Sequence, residues 1–491
     1  MSLHALSLHA LSSRTGGPVS GRARPVQWSP GARPERRARH RLGTLGAVLL
    51  TLTAPPAAVL VVPDAAGDVV PAAAHALGLG DGGVPALLRA TGLSLPALLV
   101  AVPLGAVAAR RFPALGVLAT GLAVLLAGLG TARLADSVAL AGTVRAAQGA
   151  GAGIVLPASL VLVWERRSRA LAALWAGVLA GMLIIAMPLA LRAVPPGDVS
   201  RDWRDALAPY PWPALAAAVA AAVHLVLRGR GPSVLPAARL AERGQLLLPF
   251  APAAGFAFLA VVAAHAWSPG ARLVVAGLAL TALLGLALTA RRDATAGSPF
   301  GCAVVMIAAG MLCHPVAGPL AGLAADAHGR DAAAPLLPFG AAAVAAVLAA
   351  LGSTRVPARR AVRAGCCLVA AAVPLGLTAD VHDRWTLLGP LVLLGAGAGG
   401  ALAASLRDAG VGAALFGLSL CFPAVLTGQL IVLSLQAARL ERLRPASDAE
   451  RAHALLDGYH GWLVVAAAAA VLLAAVAAAV PGRSVATSRA R

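Results

Sequence analysis

The sequence predicts an all-α polytopic membrane protein with about fourteen transmembrane helices. Three observations predict it. The 491-residue chain is 59% hydrophobic and only 12% charged, with a mean hydropathy of +0.81. A soluble chain of this length needs a far larger polar surface. Apolar windows of roughly 17–25 residues, long enough to cross about 30 Å of hydrocarbon, recur along nearly its whole length. Charged residues fall between these windows or in the tails, with Arg145 the single exception.

The windows run in order over residues 44–62, 91–109, 114–132, 138–162, 170–191 and 212–227. A second set covers 246–264, 273–290, 300–323, 334–352, 364–379, 386–405, 410–435 and 461–480. Windows 212–227 and 364–379 are short, and flanking Arg residues can snorkel to extend them. Residues 1–43 carry eight Arg and no cleavable apolar core, so they read as a disordered basic tail. The Pro/Gly/Arg-rich stretch 228–245 is the natural midpoint linker, and 481–491 is a second tail.

Charge sets the orientation. With the first tail inside, inside segments hold 27 Arg and 5 acids, and outside segments hold 12 Arg and 15 acids. The excess of basic residues marks the cytoplasmic face, so both termini are expected there. Trp203, Tyr210, Trp212, Trp267, Trp385, Tyr459 and Trp462 fall at predicted outer edges, as an aromatic belt would. All forty basic residues are Arg, and together with the abundant Ala and Gly this composition is associated with a high-GC bacterium. The expected location is therefore the bacterial inner membrane.

The net charge of +20 lies in short loops, with no basic face and no aromatic interleaving, which excludes a nucleic-acid surface. Cys302, Cys313, Cys366, Cys367 and Cys421 lie in apolar stretches without metal-ligand spacing and read as small lipid- or core-facing side chains. No phosphate-cradling loop is present, so any transport is secondary or facilitated unless a separate ATPase binds. No cofactor or metal is expected. No nucleophile–base pair accompanies the acids of the outer loops, so an enzyme is not expected either. The expected partners are the lipid bilayer, a small-molecule substrate and, if transport is coupled, protons; the expected state is a monomer.

Arg145 heads the run Arg145-Ala-Ala-Gln148-Gly149-Ala-Gly151-Ala-Gly153, which continues to Pro157. A charge at mid-helix depth costs roughly 2.5–3.5 kcal/mol even on insertion scales. Arg145, Gln148, Gly149 and Ala152 share one helix face. Lipid cannot satisfy that Arg–Gln pair, so the face must look into protein or a watery cavity. The small residues Ala147, Gly149, Gly151 and Gly153 let a neighbouring helix approach closely. Spacing alone leaves a second reading equally open: a structural Arg snorkelling to the outer interface.

This run, followed by Pro157-Ala-Ser159, resembles the fourth-helix signature of the major facilitator superfamily, and most nearly its 14-helix drug:proton antiporter branch. Val62-Pro63-Asp64, Asp202-Trp203-Arg204, Trp267-Ser-Pro and Arg291-Arg292 resemble further elements of that branch. The resemblance implies two six-helix bundles, 44–227 and 300–480, around a central cavity, with a hairpin at 246–290 between them. It also implies cytoplasmic gating loops at Gly105, Arg110 and Arg111, and at Arg359 and Arg360. The chain departs from the pattern where acids belong. Ala54 stands at the first-helix Asp position, Ala109 at the Asp of the loop after helix two, and the matching loop at 352–360 has no Asp. The helix-five antiporter motif survives as Gly177, Gly181 and Pro188.

The resemblance implies alternating-access export of small molecules, of the drug or antibiotic efflux type. A cavity of Ala, Leu and Val without a buried acid suits hydrophobic or amphipathic substrates and disfavours strongly cationic ones. A proton-coupled exporter needs a titratable group in the pathway. His314 and His224 are the in-span groups that could carry the proton, and backbone-bonded core histidines are the plain alternative. Gln429 could line a cavity or make an interhelical hydrogen bond. The missing acids leave an alternative open: a degenerate facilitator without proton coupling, or a non-transporting membrane partner.

Overall fold

The computed structural model describes residues 33–64, 69–80, 83–193, 202–228, 235, 239–263, 267–291, 293, 297–298, 301–327, 336–407 and 409–479. The expected disorder of residues 1–32 and the tail at 481–491 lie outside these. Within the first half the chain forms α1 (Arg33–Val59), the short α2 (Val70–Ala76) and α3 (Val84–Thr91), and then α4 (Ser94–Arg111) and α5 (Ala114–Thr131). It continues as α6 (Val138–Glu165), α7 (Arg169–Ala193) and α8 (Trp212–Arg228). The insertion comprises α9 (Leu240–Leu247), α10 (Phe250–Ala263) and α11 (Pro269–Ala290). The second half is α12 (Cys302–Ala327), α13 (Leu336–Ser353), α14 (Ala358–Leu377), α15 (Arg384–Leu406), α16 (Val411–Leu443) and α17 (Asp448–Ala479).

Among the described residues thirteen helical stretches are long and apolar enough to cross a bilayer, and Trp212–Leu227 is a further, shorter apolar helix. No strand occurs among the described residues. The fold is all-α and polytopic, with two six-helix bundles and a two-helix insertion. We call the membrane face where α1 begins its apolar run the near face, and the opposite one the far face.

Several boundaries differ from the sequence expectation. Helix α1 begins at Arg33, inside the stretch expected to be tail, because Arg, Ala and Glu favour helix and Pro34 suits a first turn. The seventh span begins at Leu240, within the expected linker. The expected outer loop over 436–460 is mostly helix, leaving only residues 444–447 between α16 and α17. Arg444 ends α16 in the left-handed conformation (φ 44°), its amide bonded to the Leu440 carbonyl. The aromatic belt is also partial. Trp212 and Trp385 are exposed, whereas Trp203, Tyr459 and Trp462 are buried in protein.

Burial separates central from peripheral helices. In α12, 89% of the apolar window is inside the protein, against 22% in α11. Helices α6 and α16 are also mostly enclosed, so the motif-bearing α6 has little lipid contact. In the first bundle α6 packs against α4 and α5, and α1 against α8. In the second, α15 packs against α13 and α14, and α12 against α16. Helix α7 crosses to the other bundle and lies on α13, α15 and α12. The insertion closes the opposite seam, with α10 against α4 and α11 against α16.

Candidate functional site

A cavity of about 640 Å³ lies between the two bundles and opens on the far face. Its floor is apolar, with Met187, Leu426 and Leu430. Its polar groups are Ser94, His314, Gln429 and Gln436, with Asp64, Arg89 and Asp326 nearer the mouth. Residues Ala260 and Val261 of α10 form part of the wall, so the insertion contributes to the cavity itself. Asp64, just beyond α1, and Asp326, in the last turn of α12, both line it.

Arg145 is 4% exposed and does not line the cavity; it faces the protein interior. Its guanidinium donates from Nε to the Thr91 carbonyl (2.8 Å) and from Nη1 to Gln148 Oε1 (3.0 Å). From Nη2 it donates to Ser94 Oγ (2.9 Å) and to the carbonyls of Pro63 (3.1 Å) and Val61 (3.4 Å). The carbonyl acceptors lie at or just beyond the C-terminal ends of α1 and α3, where carbonyls lack intrahelical donors, and Ser94 opens α4. One planar cation thus ties three chain ends to α6, a task suited to the fixed fork of Arg. Snorkelling to the interface is excluded by this geometry. A carboxylate is nevertheless joined to the network: Thr91 Oγ1 donates to Asp64 Oδ2 (3.2 Å).

Gln148 is fully buried. It accepts from Arg145 and donates through Nε2 to the carbonyls of Leu207 (2.9 Å) and Gly128 (3.3 Å). Leu207 ends the short 3₁₀ turn 203–207 that carries the Asp202-Trp203-Arg204 element. There Arg204 Nε donates to the Ala135 carbonyl (2.7 Å) and its guanidinium lies 5.1 Å from the Trp203 ring centroid. The turn packs with α2, α3 and the start of α6 in a small separate apolar cluster capping the far face.

The glycines of α6 set helix spacing. A Cβ on Gly149 would overlap the Ser94 carbonyl of α4, and one on Gly153 would stand 2.8 Å from the Leu98 carbonyl. Gly151 faces α5, where a Cβ would lie 2.5 Å from Leu125 N. Gly105, expected in a gating loop, instead lies buried in α4, where a Cβ would stand 3.0 Å from both the Gly153 carbonyl and Pro157 Cγ. Gly105, Gly153 and Pro157 therefore form one helix crossing, which a linear motif reading divides between loop and helix.

The helix-five glycines make the contact between bundles. A Cβ on Gly177 would stand 2.7 Å from Val347 Cα, and one on Gly181 would stand 3.0 Å from the Ala343 carbonyl of α13. This close packing lies toward the near face and helps shut it. Gly177→Leu should wedge the bundles apart at a cost of about 1–3 kcal/mol. Thermal unfolding should show it against Gly116→Leu, whose site is open; equal behaviour of the two variants would remove this contact from the packing account. Pro188 is buried in α7, next to the cavity-lining Met187.

His314 lies at the boundary of the bundles. Its Nδ1 is 3.2 Å from the Leu183 carbonyl of α7. A carbonyl only accepts, so Nδ1 carries the hydrogen and Nε2 of the neutral ring is an acceptor in a cavity-lining side chain. His224 is elsewhere: it packs on Gly46 of α1, inside the first bundle and away from the cavity. Gln429 lines the cavity.

Of the loop arginines, Arg110 is buried and donates to Glu242 of α9, through Nε to Oε1 (2.7 Å) and through Nη2 to Oε2 (3.3 Å). Arg111 is exposed and stacks on Phe112, its guanidinium 5.2 Å from the ring centroid. Arg359 and Arg360 are exposed on the first turn of α14. The corresponding loop of the second half is held by Arg407, whose guanidinium donates to the Val356 (2.6 Å) and Ser353 carbonyls. Nothing in the sequence pattern singled out Glu242 or Arg407. Their partners are 132 and 51–54 residues away in the chain. Among the described residues no group of three His, Cys, Asp or Glu is placed to hold a metal.

The arrangement matches solved transporters along nearly its whole length. It is similar to the human organic anion transporter MFSD10 (TETRAN), at 16% identity and a TM-score of 0.52, covering 90% of this chain and 99% of that one. It is also similar to a bacterial homologue of the human drug peptide transporters PepT1 and PepT2, at 14% identity and a TM-score of 0.51, covering 89% and 98%. The chain has the major facilitator superfamily fold. No family model matches the sequence, and no curated protein matches it. The facilitator fold thus stands on three-dimensional likeness.

Proposed function

We propose that this protein is a secondary membrane transporter that works by alternating access and exports hydrophobic or amphipathic small molecules. The observation that carries the reading is the cavity between the bundles, open on the far face and closed on the near face. Its volume of about 640 Å³ falls in the range of drug-sized ligand sites. The apolar floor with charged groups at the mouth suits a molecule with an apolar body and a polar end. The Arg census supports a cytoplasmic near face, with both termini on that side, in a bacterial inner membrane. On that orientation the structure is outward-open.

A second reading, a facilitator without proton coupling, is favoured by one observation. Among the described residues no Asp or Glu is fully buried, and the two cavity acids stand toward its mouth. His314 is then the deepest candidate for a proton site in the cavity wall.

Reconstitution in vesicles with a panel of fluorescent amphipaths tests both. Met187→Trp and Leu426→Trp, which fill the cavity floor, should lower transport roughly tenfold or more relative to the intact protein. Undiminished transport in these variants would sink the cavity as the pathway. Collapse of the proton gradient separates the two readings: transport that continues unchanged favours the facilitator.

A further inference from the structure

The inserted segment carries a charge pair that the two-bundle scheme leaves without a role. Arg110 lies in the last turn of α4 at the near face, beside Ala109. An acid that Arg110 meets comes from α9. Glu242 engages it through both carboxylate oxygens, and the two side chains are only 5% and 14% exposed. Paired donors and acceptors in low dielectric make this a strong, geometrically specific contact.

The position of α9 gives the pair a mechanical meaning. Helix α9 touches α4 of the first bundle and α16 of the second, so it straddles their seam on the closed face. Gln245 Nε2 donates to Asp293 Oδ2 (2.9 Å), which fastens the foot of the insertion's first arm to the foot of its second. Beyond Pro249 the same arm continues as α10, which lies on α4 and reaches the cavity wall at Ala260 and Val261. Opening the near face separates the ends of α4 and α16, and a helix held on both cannot follow both.

We propose that Glu242 is the acid of a latch that holds the near face shut, so that the inserted hairpin is a working part of alternating access. The inference rests on the transporter reading above. Neutralising one partner removes this ion pair from a buried contact, which penalises only the state in which the latch is closed.

Amide hydrogen exchange on the full chain in nanodiscs reads the two faces separately, without any substrate. Glu242→Gln and Arg110→Gln should each raise exchange at the near-face ends of α4 and α9 and slow it around the cavity mouth. The shift in the open-to-closed ratio should be on the order of a hundredfold. The double variant, in which the pair is gone from both sides, should shift less than the two single effects combined. Unchanged exchange on both faces in the double and single variants overturns the latch, as do strictly additive effects. Vesicle transport fails independently: a latch shift with no substrate movement keeps the latch and removes the transporter reading.

Discussion

Arg145→Ala should lower the unfolding free energy of the purified protein by about 3 kcal/mol. The guanidinium makes five bonds, to Thr91, Gln148, Ser94, Pro63 and Val61. Interhelical hydrogen bonds within membranes average about 0.6 kcal/mol each, so the network amounts to about 3 kcal/mol. The cost of a charge at helix mid-depth, about 2.5–3.5 kcal/mol, is of similar size but belongs to a different equilibrium. It opposes insertion of the isolated helix, and folding relieves it by supplying oxygen acceptors. Removing Arg145 therefore eases insertion and weakens assembly. Arg145→Lys keeps the charge but offers three donors at a point, so it should recover less than half of the loss. Guanidine-free thermal and urea unfolding in detergent measures this. A variant within 0.5 kcal/mol of the intact protein would mean that the network is dispensable.

Gly149→Ala should be nearly as damaging, although it adds only a methyl group. A Cβ there would overlap the carbonyl of Ser94, a backbone atom that no rotamer change can move. Helices α4 and α6 must then separate, and Ser94 also receives Arg145. Overpacking costs about 1–3 kcal/mol, and the upper end is expected here because a hydrogen bond is strained at the same time. Gly130→Ala is the control: it has no neighbour within 4 Å and should be neutral or stabilising. Equal melting of the two variants would show that the α4–α6 contact tolerates expansion, contrary to the packing described.

The fold was legible because the membrane allows few solutions. Long apolar windows with polar breaks must be helices, and the windows of the sequence recur as the helical spans. The Arg145–Gln148 pair and the α6 glycines were legible for a related reason, since a buried charge and a run of small residues are costly or informative wherever they occur in hydrocarbon. Helix ends were poorly legible. Ala-rich stretches carry little boundary signal, and α16 and α17 extend well past the apolar core. The cavity was less legible still. His314 and His224 look alike as single polar residues on apolar helices, yet one faces the cavity and the other packs on Gly46.

By itself the sequence determined the class, the buried cation and the close-packing face of the fourth helix. Each follows from local composition and the price of polarity in lipid. Only the tertiary structure decided what Arg145 binds, which acids reach the cavity and which carboxylate meets Arg110. Those answers depend on segments far apart in the chain, as Arg110 and Glu242 are, and no periodicity records which distant backbone carbonyl or carboxylate a side chain will meet. Their chemistry was written in the sequence; their pairing was set by how the helices pack.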